Sequence, residues 1–200
     1  MKTSIKTLIS TSLTAIVLSS AVFTTNVSAA QKEPHTILKI SAFKRISVKG
    51  NVEVTIIQRS NPGISYTDDN TGTAKVIQDG DNLKITSIST DKAKLTVYVN
   101  DFYRIEASEN AVVKTEGKLR TKYLQIFLKG NAHAEINTSS EGLYTVIADQ
   151  ADLKLSGSTD QHTLVMGKSQ KLTIDKFAAL KTNISSVETF AIEKEIAAIK

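Results

Sequence analysis

Three histidines, His35, His133 and His162, are the first side chains in this 200-residue sequence to test for chemistry. A metal or acid–base site needs a second group that the backbone brings to the same side. On a strand that spacing is two residues, because alternate side chains share a face. Only His133-Ala-Glu135 meets it. Two ligands on an open surface are more often solvated than metal-bound, so no metal and no cofactor is expected there. Asp68-x-Asn70-x-Gly72 has part of a calcium-loop spacing. It lacks the sixth-position glycine and a bidentate glutamate downstream, and reads as a turn. Asp79 and Asp81 flank Gly80 and read the same way. Cleaving a glycosidic bond takes two carboxylates at a defined separation. Glu106, Glu109, Glu116, Glu135 and Asp152 are candidates to line one outer face, but any repeating sheet would stack its outward acids like this. There is no cysteine to act as a nucleophile and no Gly-x-Ser-x-Gly elbow. The expectation is therefore a protein that is not an enzyme. Sugar rings stack on exposed aromatic faces. Among Tyr98, Tyr103, Tyr123, Phe127 and Tyr144, the three candidates for ligand binding are Tyr123, Phe127 and Tyr144, outward on adjacent copies of a repeat. The competing role for these rings is to cover the core or the ends of the coils.

That repeat organises the chain from Ile105 to Ile192. Aligned apolar alternations end at Thr115, Ile136, Leu155, Ile174 and Ile192, so the period is 21, 19, 19 and then 18 residues. Period-2 alternation puts one face inward and the other outward. Leu153, Leu155, Leu172 and Ile174 are expected inward, while Glu135, Lys154 and Thr173 point to water. One such strand cannot bury its apolar face alone, and stacked copies can. The fold class expected is all-β: a single-stranded right-handed parallel β-helix, or β-solenoid, with coils of roughly 20 residues. The alternative is an antiparallel meander of similar strands.

The segments ahead of the repeat add some antiparallel hairpin character. Lys49-Gly50-Asn51 lies between two alternating runs and recurs as Lys129-Gly130-Asn131. Each reads as a tight kink with positive φ. Asn61-Pro62-Gly63 is a turn signal. Asp79-Gly80-Asp81-Asn82 reads as a hairpin turn between Val76-Ile77 and Leu83-Lys-Ile85. The stretch 188–199 fits either a last strand or a short amphipathic helix.

The first 29 residues read as a secretory signal peptide. Lys2 and Lys6 precede an apolar run, and Val27-Ser28-Ala29 supplies small residues for cleavage before Ala30. The run is too short and too rich in Ser and Thr for a membrane anchor, and no transmembrane segment is expected after cleavage. Residues 30–200 then form a single domain. Loss of the two lysines leaves 23 basic against 20 acidic residues, a net +3. That charge is spread along the chain, which argues against nucleic acid as a partner.

Phe43-x-x-Ile46-x-Val48-x-Gly50-x-Val52-x-Val54-x-Ile56-x-Gln58, followed by Val76-x-x-Asp79-Gly80-x-x-Leu83-x-Ile85, resembles the opening of the auto-transporter adhesin family called the head GIN domain. The resemblance runs from about Phe43 to Ile192. It implies an exported bacterial β-helix with an adhesive role, and it brings no catalytic or ligand residues with it. The chain departs from the family's usual Ser-Gly-Ser-Gly kinks at Ser108-Glu-Asn110, Lys129-Gly-Asn131 and Asp149-Gln150. The functional expectation is an exported, non-catalytic envelope protein in the periplasm or at the cell surface. It would be an adhesin-like binding or scaffold module for an envelope or host glycan or protein. The alternatives are a polysaccharide-active β-helical enzyme and a purely structural envelope protein. Sequence alone leaves the oligomeric state open.

Overall fold

Alternation of apolar and polar residues dictates the backbone wherever this chain is ordered into strands. The structure, a computed structural model, describes residues 38–66, 73–87, 89–167 and 169–186, all within one unit spanning Pro34–Lys200. The expected signal peptide, His35, the Asp68–Gly72 loop, the repeat copy ending at Ile192 and the 188–199 segment lie outside the described residues.

The described strands form two arms that converge on β11 (His133–Ile147). One arm runs β1 (Leu38–Lys39), β4 (Gly63–Tyr66), β7 (Ala93–Val99), β3 (Val52–Gln58) and β9 (Val112–Glu116). The other runs β5 (Lys75–Asp79), β6 (Asn82–Ser87), β2 (Arg45–Gly50), β8 (Arg104–Ser108) and β10 (Leu119–Leu128). β9 pairs with the start of β11 and β10 with the remainder. The other edge of β11 carries β12 (Asp152–Met166), which carries β13 (Lys171–Ser185). Among the described residues no helix is long and apolar enough to cross a membrane.

This architecture overturns the expected single-stranded right-handed parallel β-helix. The strands make one mixed sheet, curled into a half-barrel. β4 is antiparallel to both β1 and β7, and β5 is antiparallel to β6. The cause lies in the turns. Gly80 and Asp81 link Asp79 to its cross-strand partner Asn82, with Gly80 at φ 59°, which closes a two-residue hairpin. The chain also reverses through Asn61-Pro62-Gly63 into β4. The spacing near 20 residues reappears as parallel register, with Ile105 beside Ile126 and Ala134 beside Leu153.

Register also builds the core. Leu83, Ile46, Ile105 and Ile126 form one row across four strands, and Leu95, Val54, Val113, Ala134 and Leu153 form another, all buried. Each fully buried Leu or Ile contributes about 1.5–3 kcal/mol relative to exposure. Gly50 (φ 88°) closes β2 because nothing larger fits: a Cβ there would lie 2.0 Å from the Ser87 carbonyl oxygen. One part of the expected core needs correction. Leu153 and Leu155 are buried, but Leu172 is only partly covered and Ile174 is 57% exposed. Both sit in register with the buried pair. They lie on β13, whose far side has no further described strand to cover it.

Candidate functional site

The alternation that buries Leu83, Ile46, Ile105 and Ile126 turns their neighbours outward. Cross-strand register then places Lys84, Ser47, Glu106, Phe127 and Val146 in one row over β6, β2, β8, β10 and β11. These residues line a groove of about 520 Å³. Phe127 and Val146 supply an apolar floor, and Lys84, Arg104 and Lys129 stand among its walls.

Arg104 organises the centre. Its guanidinium carbon lies 4.2 Å from the centroid of the Phe127 ring. Its Nε is 2.6 Å from Glu106 Oε1, and its Nη1 donates to Gln125 Oε1 at 3.4 Å. Ser47 Oγ donates to the other Glu106 oxygen at 3.5 Å. The cation–π contact and the ion pair keep Arg104, Phe127 and Glu106 together, although the Nε–H is not aligned for a hydrogen bond to the carboxylate. Phe127 and Tyr144 meet with ring centroids 5.8 Å apart and planes tilted by 50°. Partial burial pushes the Tyr144 phenol up, so it stays protonated and can donate a hydrogen bond. The arrangement presents an apolar patch, its two rings tilted to each other, beside polar groups in contact with one another. It can stack a ring or an apolar chain and hydrogen-bond its edge.

Of the three aromatic candidates, Phe127 lines the groove and Tyr144 does not, but Tyr144 packs against the Phe127 ring. Tyr123 is 58% exposed, does not line the groove, and has Lys122 Nζ 5.6 Å from its ring centroid. Tyr98 is covered by the Arg59 guanidinium at 3.3 Å. The acids scatter. Glu106 is in the groove, Glu109 pairs with Lys49 at 3.2 Å, and Glu116 is exposed at the end of β9.

Glu135 and Asp152 meet at His133. The Nδ1 atom lies 3.0 Å from Asp152 Oδ2 and Nε2 lies 3.3 Å from Glu135 Oε1. The His133 hydrogen bond is the main cause holding the Glu135 carboxyl below the usual carboxylate range. The imidazole thus bridges two carboxylates, with each ring nitrogen already engaged. Sequence spacing linked His133 to Glu135 and missed Asp152. The signal was present, since Asp152 stands one repeat beyond His133 and faces it in register. Arg104, Ser47 and Lys84 were missed for want of any motif.

Residues 42–187 match the family described as "Putative auto-transporter adhesin, head GIN domain". No protein with a curated description matches the sequence. The fold is similar to a crystal structure of a putative adhesin from Bacteroides fragilis, with TM-score 0.67 and 18% identity over 76% of this chain and 75% of that one. A putative adhesin from Parabacteroides merdae is similar with TM-score 0.57 and 14% identity, covering 76% of each chain. A structure described as a putative lipid binding protein from Parabacteroides distasonis is similar with TM-score 0.54 and 12% identity, over 76% of this chain and 77% of that one. At these identities the likeness is one of fold.

Proposed function

The chain belongs to the head GIN domain family, and from that premise we propose that it is an exported, non-catalytic binding module of the cell envelope. Its ligand site is the groove floored by Phe127, with Tyr144 packed against that ring from outside the lining, and its ligand is an envelope or host glycan. Export rests on the signal-peptide pattern at 1–29, with residues 30–200 as the working domain. The observation that carries the assignment is the Phe127–Tyr144 pair beside the Arg104–Glu106 ion pair, an apolar patch edged by donors and acceptors. Rigid aromatic and Arg side chains in such settings dominate binding energy. Glycoside hydrolysis would need a second carboxylate across the scissile bond. Among the described residues that line the groove Glu106 is the one carboxylate, and Arg104 neutralises it.

The apolar floor of Phe127 and Val146 also favours a second reading, an acyl chain of an envelope amphiphile. The distantly similar Parabacteroides distasonis protein described as lipid binding makes that arm worth including.

The test is binding of the full chain to immobilised panels of purified envelope and host polysaccharides, and to vesicles with and without envelope glycolipid. Phe127→Ala with Tyr144→Ala should weaken the bound class by about fivefold or more, since each ring contact is worth about 0.5–1.5 kcal/mol. Tyr123→Ala should bind like the parent. Binding to vesicles alone would select the amphiphile. Binding indifferent to the double substitution would reject the groove.

A further inference from the structure

We propose that β13 is a dimerisation edge: two copies of this chain pair their β13 strands antiparallel about a twofold axis through Ala178. β13 runs fifteen residues and its one described neighbour is β12. Three large apolar side chains stand out of it, Ile174 at 57%, Leu180 at 86% and Ile184 at 70% exposure. A long apolar edge strand is a template for another strand, and proteins that remain monomeric blunt such edges.

The sequence of β13 is self-complementary in this one register. Residues on the core side follow from pairing with β12: Leu172, Ile174, Phe177, Ala179, Thr182 and Ile184. Alternation is interrupted twice, at Asp175-Lys176, where the ladder shifts and Lys176 has φ 52°, and again at Leu180-Lys181. The two interruptions lie at equal distances either side of Ala178. A twofold there maps each onto the other, so the partner strands keep the same faces together along the whole length.

Residues directly opposite each other in an antiparallel pair have side chains on one face. The twofold sets Leu172 opposite Ile184, Ile174 opposite Thr182 and Phe177 opposite Ala179, each twice. Every core-side residue of one copy meets a core-side residue of the other. On the solvent side it sets Asp175 opposite Lys181, again twice, which is a favourable cross-strand ion pair. The contact is isologous and closes at two copies, as most homodimers do. It would bury Ile174 and Ile184, the two large apolar side chains among the three exposed core-side residues, Thr182 being the third.

Sedimentation equilibrium of the full chain tests this. The parent protein should be a dimer. Asp175→Lys and Lys181→Asp should each weaken dimerisation by about fourfold or more, because both symmetry-related pairs become like-charged. An equimolar mixture of the two variants should recover a heterodimer, since each lysine again faces an aspartate. Asp175 also lies 3.9 Å from Lys154 within its own chain, which makes Lys181→Asp the cleaner single variant. Circular dichroism should show both variants folded, because both positions are exposed. A parent protein that stays monomeric at its highest soluble concentration would overturn the proposal. In that case, protection of the β13 amides from hydrogen exchange would assign the edge to the chain's own 187–200 segment. A dimer indifferent to both reversals, or a mixture that does not re-associate, would place the contact elsewhere and overturn it as well.

Discussion

Replacing Leu153 and then its neighbour Lys154 by aspartate asks the fold to declare which face is the core. Leu153 is fully buried, with Ala134 and Leu172 beside it in the ladder. Leu153→Asp removes about 1.5–3 kcal/mol of apolar burial. It also places a carboxylate among buried apolar side chains. Keeping that group charged costs several kcal/mol, and protonating it instead costs about 1.4 kcal/mol for each pH unit above its ordinary titration. The sum is about 5 kcal/mol or more near neutral pH, against a typical total of about 5–15 kcal/mol. The variant should be largely unfolded or lose most of its stability, and it should recover part of it on mild acidification. Leu153→Ala, at about 2–5 kcal/mol, keeps the comparison measurable. Lys154→Asp is a different matter. The lysine side chain is 44% exposed and lies 3.9 Å from Asp175. Losing that contact and bringing a second acid beside Glu135, its ladder partner, should cost only about 0.5–1 kcal/mol. Urea unfolding of the three variants, with a shared m-value, gives the ranking. A Lys154→Asp loss equal to that of Leu153→Ala would mean that the faces have been exchanged, and would refute the row-by-row account of the core.

Two further outcomes follow from single positions. Gly50→Ala must drive a Cβ into the Ser87 carbonyl 2.0 Å away and displace the β2–β6 ladder, so it should cost about 3 kcal/mol or more in urea unfolding. Gly80→Ala has open space around it and should cost only the left-handed backbone, about 1–2 kcal/mol. Near-equal losses would remove the close-approach argument. Buried His162, beside Thr145 Oγ1 at 3.2 Å and edge-on to Phe177, is held below the ordinary imidazole value of 6.5 by desolvation. Above that value folded and unfolded chains are both neutral at this site. As pH falls through it the unfolded chain takes up a proton first, so stability should begin to drop there and go on dropping until the folded ring titrates. An NMR titration placing the His162 midpoint above 6.5 would contradict this.

How far the fold could be read from sequence depended on which forces are local. Alternation is local, and it correctly placed Leu153 and Leu155 inward with Lys154 and Glu135 outward. Turn chemistry is local too, and Asp79-Gly80 makes its hairpin. Strand order is not local. The similarity between Ile46–Ile56 and Ile126–Ile136 invited a uniform coil. Yet β2 lies between β6 and β8, and β4 is held antiparallel between β1 and β7. Nothing in a period-2 pattern distinguishes a parallel neighbour from an antiparallel one, because both bury the same alternate residues. Exposure at the end of the sheet is equally invisible, since Ile174 has the same local pattern as Leu155 and differs only in having no described strand beyond it.

The groove shows the same limit from the side of function. Its residues come from β6, β2, β8, β10 and β11, and reach one another only through four cross-strand registers. Phe127 and Tyr144 could be named in advance because both are aromatic at outward positions. Arg104 could not, because an arginine before an apolar run looks like any solvated strand entry. What gives Arg104 its role is the register that sets it beside Gln125, two residues before the Glu106–Phe127 pair and so on the same face. From there its guanidinium reaches both the ring and the carboxylate. A binding face made by register is tolerant of change along each strand and intolerant of any slip between strands. The same holds for His133 and Asp152. This is why a fold held together by alternation and turns can be shared at 10–18% identity.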